Sequence, residues 1–321
     1  MFEIVQLPYW VAFLLVVLAA IALLDRMLMP SARWYMRRRF NKAIEKLNDR
    51  LQLRIQPFKL TQRKVMIDRL LHDPKVMDAV RAYADEENVP LAVASAKAAT
   101  YAQEIVPSFS VFAYFGFAIR LSRWISQALF RVRVGFMDDD SLRRVDPEAT
   151  VVFIMNHRSN MDYVLVTYLA SERSALSYAV GEWARIWPLQ QVIKSMGGYF
   201  IRRQSRNQMY RRVLARYVQM ATEGGVSQAI FPEGGLSLDG SPQPAKLGLL
   251  CYILDGFTLE SARDVVFVPV GLNYDRVLED RVLTRVDPEG KRTFKFQGDV
   301  FFGFVMKQTW LRLTKRFYRF G

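Results

Sequence analysis

Short apolar runs alternate with amphipathic stretches through the second half of the chain, and this alternation constrains the fold more than any other feature. Such runs predict strands, and the longer stretches between them predict helices. The predicted strands lie at residues 151–155, 176–180, 199–201, 228–231 and 265–270. The predicted helices lie roughly at residues 160–171, 183–196, 205–222 and 246–256. Strands that alternate with helices favour an α/β fold with a mostly parallel sheet and flanking helices.

The amino-terminal run from Leu7 to Leu24 carries no charged side chain and just meets the length of a membrane-spanning helix. Glu3 is the only charged side chain before this run, and several arginines follow it. The positive-inside bias then predicts a single membrane anchor whose carboxyl-terminal side is cytoplasmic. A cleaved signal peptide is the alternative, because Ala20–Ala22 resembles a cleavage site. Its positive charge would precede the apolar run, whereas here the charge follows it.

The remaining residues divide into regions of different character. Apolar residues at helical intervals between residues 61 and 104 predict two or three helices. Residues 105–136 are rich in apolar and aromatic residues and predict a helix that is either buried against the main domain or inserted into a membrane interface. The predicted organisation is therefore a transmembrane anchor at 1–30, a basic juxtamembrane and helical region at 31–104, a connecting helix and linker at 105–149, and an α/β domain with a basic, aromatic tail at 150–321.

The charge of the chain indicates an anionic partner. The formal net charge is +14 and the pI is about 9.9. The basic residues cluster next to the apolar run, between Arg206 and Arg216, and in the tail. This distribution favours a membrane surface over nucleic acid, for which no motif is present. A single cysteine, Cys251, excludes an intramolecular disulfide, and no His/Cys cluster predicts a metal site.

One histidine and one aspartate follow the first predicted strand. His157 comes just after the apolar run, and Asp162 lies five positions later, in the first turn of the next predicted helix. An imidazole titrates near pH 6.5 and can act as a general base, and a carboxylate can orient it and stabilise its charged form. From the spacing alone a second interpretation stays open, in which Asp162 is a first-turn acid that the helix dipole stabilises and His157 is a loop residue. The other histidine, His72, is predicted to be a surface or capping residue.

Three further segments end predicted strands. Gly197–Arg203 ends in two adjacent arginines, which can bind a phosphate or form a solvated strand end. Phe231–Gly235 places an acid before two glycines, which let backbone N–H groups approach an anion or form an ordinary turn. Val268–Val270 is an apolar strand that contains a proline.

Taken in order, these four segments resemble the characteristic blocks of the glycerol-phosphate acyltransferase superfamily, and within it they are most similar to the glycerol-3-phosphate acyltransferases. The resemblance covers about residues 61–276. It implies that an acyl group passes from a thioester donor, acyl-CoA or acyl carrier protein, to a hydroxyl of a glycerol phosphate in phospholipid biosynthesis. It implies no cofactor and no metal, and its partners are membrane lipid and the two substrates. No prediction is made of the oligomeric state.

The resemblance also implies roles for individual residues. His157 would deprotonate the acceptor hydroxyl, and Asp162 would orient His157. Glu233 and the glycines after it would shape the acceptor pocket. The residues implied to bind substrate are Arg158, Ser159, Gly198, Arg202, Arg203, Glu233, Gly234, Gly235 and Lys246, of which the arginines and Lys246 would contact the phosphate of the acceptor.

The chain departs from the superfamily after the Glu-Gly pair. The superfamily carries Arg-Ser-Arg there, and this chain has Leu236, Ser237 and Leu238. Asn156 and Pro232 are similar to residues of the lysophosphatidic acid acyltransferases, so lysophosphatidic acid is the second candidate for the acceptor. Two functions of a different class also stay open, a nucleic-acid-binding module and a non-catalytic membrane scaffold. The intact pair of His157 and Asp162 favours an enzyme over a scaffold.

Overall fold

A computed structural model of the chain describes residues 8–275, together with 277, 310 and 314. The gaps within that range are residues 50, 52–54, 171–174, 188, 203–204, 238–239, 259 and 262, and the side chains at 12, 19–33, 36, 37, 40 and 183 are also left out. The chain divides into two compact units, residues 1–51 and 52–321. The division into four regions stays a prediction. Most of the basic, aromatic tail lies outside the described residues.

The first unit is built on one long helix, α1 (Tyr9–Asn48). Its first turns carry exposed aromatic and aliphatic side chains, such as Trp10 and Phe13, each 71% exposed. Over the side chains that are described, no helix combines the length and the hydropathy that crossing a membrane requires. The second half of the predicted anchor lies outside those side chains, and the structure does not support the predicted transmembrane helix.

The second unit contains a five-stranded parallel sheet, which confirms the predicted α/β fold. Its strands are β1 (Thr150–Met155), β2 (Ser177–Gly181), β3 (Gly198–Ile201), β4 (Gln228–Ile230) and β5 (Val265–Val270). The strand order is β3-β2-β4-β1-β5. Each strand overlaps a predicted apolar run. The strands β1 to β4 are mostly buried, as expected of a parallel sheet packed between helices, whereas β5 lies at the edge and is partly exposed. The carboxyl ends of all five strands therefore lie along one edge of the sheet.

Besides the sheet, the second unit contains helices, several of which pack on the two faces of the sheet. They are α2 (Pro57–Leu60), α3 (Arg63–Leu71), α4 (Pro74–Glu86), α5 (Leu91–Ile105), α6 (Ile119–Leu129), α7 (Asp139–Arg143), α8 (Met161–Leu169), α9 (Leu189–Ser195), α10 (Gln208–Glu223) and α11 (Gly248–Leu254). A π-helical segment, Phe112–Ala118, runs directly into α6. The helices α3, α4 and α5 confirm the helical region predicted between residues 61 and 104.

The two faces of the sheet belong to two separate apolar cores. Successive residues of a strand point to opposite faces. On β1, Val152 joins the core that contains α3, α4, α5 and α10, whereas Val151 and Phe153 join the core that contains α8. The first core carries side chains from residue 66 to residue 253, so the helical region and the sheet are packed as one body.

Two of the differences between predicted and observed helices have a clear physical cause. The stretch predicted as one helix at 183–196 is a short 3₁₀ turn, Glu182–Ala184, followed by α9. Pro188 explains the break, because proline lacks an N–H donor and disfavours the helical conformation at the residue before it. α10 begins three residues later than predicted, where the side chain of Asn207 accepts the N–H of Tyr210 at 2.8 Å.

Candidate active site

His157 and Asp162 form a buried hydrogen-bonded pair at the carboxyl edge of the sheet. The loop between β1 and α8 holds the histidine, and the first turn of α8 holds the aspartate. Nδ1 of His157 lies 2.9 Å from Oδ2 of Asp162, and the two side chains are 2% and 0% exposed. Because a carboxylate accepts, Nδ1 carries the proton in the neutral ring and Nε2 holds the lone pair. Among the described residues Nε2 has no hydrogen-bond partner, so it is available to a substrate proton.

Asp162 is held by donors from several parts of the chain. Oδ2 also accepts the backbone N–H groups of Arg158 at 2.7 Å and Ser159 at 3.1 Å. Oδ1 accepts the hydroxyl of Tyr274 at 2.6 Å. A buried carboxylate is tolerated when hydrogen bonds replace its lost water. The aspartate is therefore fixed in place as an acceptor.

The imidazole of His157 is fixed by aromatic rings and by its own backbone. The ring lies 4.4 Å from the ring of Phe231 and 5.3 Å from that of Tyr163, measured between centroids. Its N–H donates to Oε1 of Glu233 at 3.3 Å, and its carbonyl accepts the N–H of Ser237 at 3.1 Å. The loop after β4 thus supports the loop after β1, as expected of neighbouring strands.

Glu233 and Lys246 belong to the same edge. Oε2 of Glu233 accepts the N–H of Gln243 at 3.2 Å, so this carboxylate links residue 243 to the histidine loop. Its role in an acceptor pocket stays a prediction. Gly234 has φ +64°, and a Cβ there would lie 2.8 Å from Cδ of Lys246. The backbone N–H of Lys246 donates to the carbonyl of Pro232 at 2.6 Å, and its side chain is exposed. The structure therefore brings Glu233, Gly234 and Lys246 close to the histidine loop, and Gly235 follows directly in the chain.

Two of the residues predicted to bind substrate make local contacts in the histidine loop. Ser159 is fully buried, and its hydroxyl accepts the N–H of Met161 at 3.0 Å at the start of α8. Arg158 is half-buried, and its Nη1 donates to the carbonyl of Gly240 at 2.5 Å. Both residues thereby stabilise the loops around the pair, and their substrate contacts stay a prediction.

The structure does not bring Gly198 and Arg202 next to His157. Gly198 begins β3, at the opposite end from the carboxyl edge, and a Cβ there would lie 2.6 Å from Cγ2 of Ile193 in α9. This glycine therefore allows close packing of α9. Arg202 follows β3 at the carboxyl edge of the sheet, the same edge as His157. However, β3 lies three positions from β1 in the strand order, so the two strands are about 14 Å apart. Arg203 lies outside the described residues.

The guanidinium of Arg202 is bound by an acid that the sequence did not single out. Its Nε and Nη2 donate to Oε1 and Oε2 of Glu104 at 2.9 and 2.7 Å. Oε1 of Glu104 also accepts Nη1 of Arg185 at 2.8 Å. The hydrogen bonds to Glu104 raise the pKa of Arg202 above its ordinary value. The predicted phosphate ligand is thus a member of an internal ion-pair cluster.

Two other features of the site were missed in the sequence. Glu104 lies in α5, far from the strand ends, and no local pattern marks it. Tyr274 lies in the segment after the last strand, near the end of the stretch that resembles the superfamily, and no role was predicted for it. Asn156 also has a clear role, because its side-chain amide donates to the carbonyl and accepts the N–H of Leu272, both at 2.7 Å. This pair of bonds joins the ends of β1 and β5.

Among the described residues, no group of three or more His, Cys, Asp or Glu side chains could hold a metal.

Much of the chain is similar in sequence to known acyltransferases. Residues 134–273 match the family model described as Acyltransferase. The chain is 30% identical over 226 residues to a glycerol-3-phosphate acyltransferase of Pseudomonas putida KT2440, which covers 69% of this chain and 27% of that protein. It is also 30% identical over 223 residues to a glycerol-3-phosphate acyltransferase of Xanthomonas campestris pv. campestris, covering 68% of this chain and 25% of that protein.

The chain spans about a quarter of the length of these relatives. A solved structure, the 1-acyl-sn-glycerophosphate (LPA) acyltransferase PlsC from Thermotoga maritima, is 18% identical with a TM-score of 0.33, covering 64% of this chain and 79% of that one.

The cluster around Glu104 yields a stability prediction. Replacing Glu104 with Gln leaves Arg185 and Arg202 without their counter-charge, and we expect the free energy of unfolding to fall by about 1 to 3 kcal/mol. Chemical denaturation monitored by circular dichroism measures it. Glu86→Gln, an exposed acid at the end of α4, is the matched control and should change stability by less than about 0.5 kcal/mol. Equal stabilities of the Glu104 variant and the parent would contradict the cluster.

Proposed function

Taking residues 134–273 as a domain of the Acyltransferase family, we propose that this chain is an O-acyltransferase that transfers an acyl group from a thioester donor to a hydroxyl of a glycerol phosphate. The observation that carries the proposal is the pair formed by His157 and Asp162, joined by a hydrogen bond of 2.9 Å at the edge where parallel sheets hold their sites. The match to curated glycerol-3-phosphate acyltransferases supports the choice of reaction.

The reaction follows from the protonation state of the pair. Nε2 of His157 takes the proton of the acceptor hydroxyl while the oxygen attacks the thioester carbonyl and forms the new C–O bond. Asp162 stabilises the imidazolium that results. The tetrahedral intermediate then expels the thiolate as the C–S bond breaks, and the thiolate takes the proton from the imidazolium. The products are the ester and the free thiol of CoA or acyl carrier protein, and the histidine is restored to its starting state.

The first test removes the base. Replacing His157 with Ala should lower kcat by about 10² to 10⁴, because the acceptor hydroxyl loses its proton acceptor. Release of thiol from one acyl-CoA, with glycerol-3-phosphate as acceptor, measures the rate. His72→Ala is a natural control, since the chain has two histidines and Nδ1 of His72 lies 2.8 Å from the carbonyl of Asp68 on the surface. Near-parental turnover by the His157 variant would reject the role of the pair.

The acceptor is the part of the proposal with two candidates. The names of the relatives favour glycerol-3-phosphate. Leu236 and Leu238 stand where the superfamily has two arginines, and this favours a less polar acceptor such as lysophosphatidic acid. We propose glycerol-3-phosphate as the acceptor, with its phosphate bound by Lys246, Arg158 and Arg203. Lys246 lies on the loop that supports His157, whereas Arg202 is already paired with Glu104.

A comparison of acceptors tests this assignment. The parent protein should acylate glycerol-3-phosphate with a higher kcat/KM than lysophosphatidic acid. Lys246→Met should raise the KM for glycerol-3-phosphate by about tenfold and leave kcat within about twofold, because the lost contact is present in the ground state and the transition state alike. Lys64→Met, an exposed lysine of α3, is the matched control. A fall in kcat with an unchanged KM would contradict a role in phosphate binding.

We further propose that the protein works at the cytoplasmic face of a membrane. The apolar run from Leu7 to Leu24, the arginines after it and the net charge of +14 support this localisation. A second support is the exposed face of the π-helical segment and α6. Phe117 and Trp124 are 58% and 63% exposed there, and Arg120 and Arg123 are exposed beside them. Such a mixture of aromatic and cationic side chains is typical of helices that lie at a lipid surface.

Vesicle flotation tests the membrane proposal. The parent protein should float with vesicles that contain phosphatidylglycerol and less with vesicles of phosphatidylcholine alone, since the attraction is partly electrostatic. The double variant Phe117→Ser, Trp124→Ser should float markedly less with the anionic vesicles. Leu91→Ser with Val93→Ser changes two exposed aliphatic residues of α5 and serves as the control. Unchanged flotation of the α6 variant would remove this face from the proposal.

A further inference from the structure

Asp162 receives its hydrogen bonds unevenly on its two oxygens. Oδ2 accepts from the ring of His157 and from two backbone N–H groups of its own loop. Among the described residues, the hydroxyl of Tyr274 is the sole hydrogen-bond donor to Oδ1, at 2.6 Å. A carboxylate can rotate about its Cβ–Cγ bond, and a donor on each oxygen restrains that rotation. The hydroxyl of Tyr274 therefore restrains which oxygen faces the histidine.

Tyr274 is itself held from two directions. Its ring packs against Phe130, which is 7% exposed and directly follows α6, with the centroids 5.4 Å apart and the planes at 62°. Two residues earlier in the chain, Leu272 is joined to Asn156 by two hydrogen bonds of 2.7 Å. The loop after β5 is thus tied to the loop after β1. The packing against Phe130 and the link between the two loops therefore fix the position of the Tyr274 hydroxyl.

We propose that Tyr274 is a positioning residue for the pair. Its hydroxyl holds the carboxylate of Asp162 so that Oδ2 accepts from Nδ1 of His157 and the lone pair stays on Nε2. Tyr274 lies one residue beyond the stretch that matches the family model, and 112 positions from Asp162 in sequence. This inference rests on the proposed function for its kinetic consequences, but the orientation of the histidine can be measured without any reaction.

The physical reason is the strength and the burial of this hydrogen bond. A short bond from a hydroxyl to a carboxylate is about twice as strong as a bond between neutral groups. Without it, Oδ1 is left buried and unsatisfied, and the carboxylate turns or takes a proton to relieve that state. Either change weakens the hold of Asp162 on Nδ1, and the histidine then samples the tautomer with the proton on Nε2, which cannot accept a substrate proton.

Tyr274→Phe tests the proposal kinetically, because it removes the hydroxyl and keeps the ring against Phe130. We expect kcat to fall roughly ten- to a hundredfold, with the KM for acyl-CoA and for glycerol-3-phosphate unchanged within about twofold. Tyr168→Phe is the matched control, since Tyr168 lies on α8 and its hydroxyl accepts from Gln127 at 3.2 Å, away from the pair. A kcat within about twofold of the parent, or a rise in KM alone, would overturn the proposal.

A spectroscopic readout separates the positioning role from a general loss of structure. The chain has two histidines, so ¹⁵N-histidine labelling gives two ring systems, and His72→Asn assigns them. In the parent, His157 should be protonated on Nδ1 when neutral. In Tyr274→Phe we expect a mixture of both tautomers, whereas Tyr168→Phe should match the parent. An unchanged His157 spectrum in a folded Tyr274→Phe protein would overturn the proposal even if activity fell.

A second variant provides a test if Tyr274→Phe fails to fold, which the loss of a cooperative unfolding transition would reveal. Phe130→Leu keeps the hydroxyl and loosens the ring that carries it, and we expect at least a threefold loss of kcat with unchanged KM values. An unchanged kcat in Phe130→Leu would then count against the proposal. If the parent protein itself transfers no acyl group, the proposed function fails, and the tautomer measurement alone decides the role of Tyr274.

Discussion

The carboxylate of Asp162 is fully buried, and the arrangement of the surrounding edge follows from the need to satisfy it. Such a group is costly unless hydrogen bonds replace water. Two of its donors are backbone N–H groups of the loop before α8, so a carboxylate in the first turn of the helix holds the loop that precedes it. A third donor is the proposed base, and a fourth comes from the loop after β5. One side chain thus couples the geometry of the helix, the loop and the histidine.

The architecture was predictable to a large extent because its signals are local. The strands lie in mostly apolar runs, since an apolar core packs on each face of the sheet, and the helical region between residues 61 and 104 has a regular apolar face. The proximity of His157 and Asp162 was also predictable, because a short loop and the first turn of a helix separate them by only five positions. The break between the 3₁₀ turn and α9 was missed although Pro188 marks it. Over the side chains that the structure describes, the predicted transmembrane helix finds no support.

The missed parts of the site depend on contacts between distant positions. Arg202 was expected to bind a phosphate, and the structure pairs it with Glu104, which lies 98 positions earlier in the chain. Tyr274 reaches Asp162 across 112 positions. The strand order matters as well, because it sets β3 three strands from β1 and β4 beside it. The loop after β4, which carries Lys246, therefore lies nearer the histidine loop than the residue after β3 does, a distinction that no single segment contains.

The packing of α5 has a consequence for how this protein can be divided. Glu104 neutralises two arginines at the ends of β2 and β3, and side chains of α3, α4 and α5 form one core with α10. The stretch that matches the family model begins at residue 134, well after these helices. A fragment cut at that limit would expose an apolar face and leave two cations unbalanced. The part of the chain that is packed together thus extends beyond the stretch that matches the family model, and grafting that stretch onto another protein would require a substitute for the helices it leaves behind.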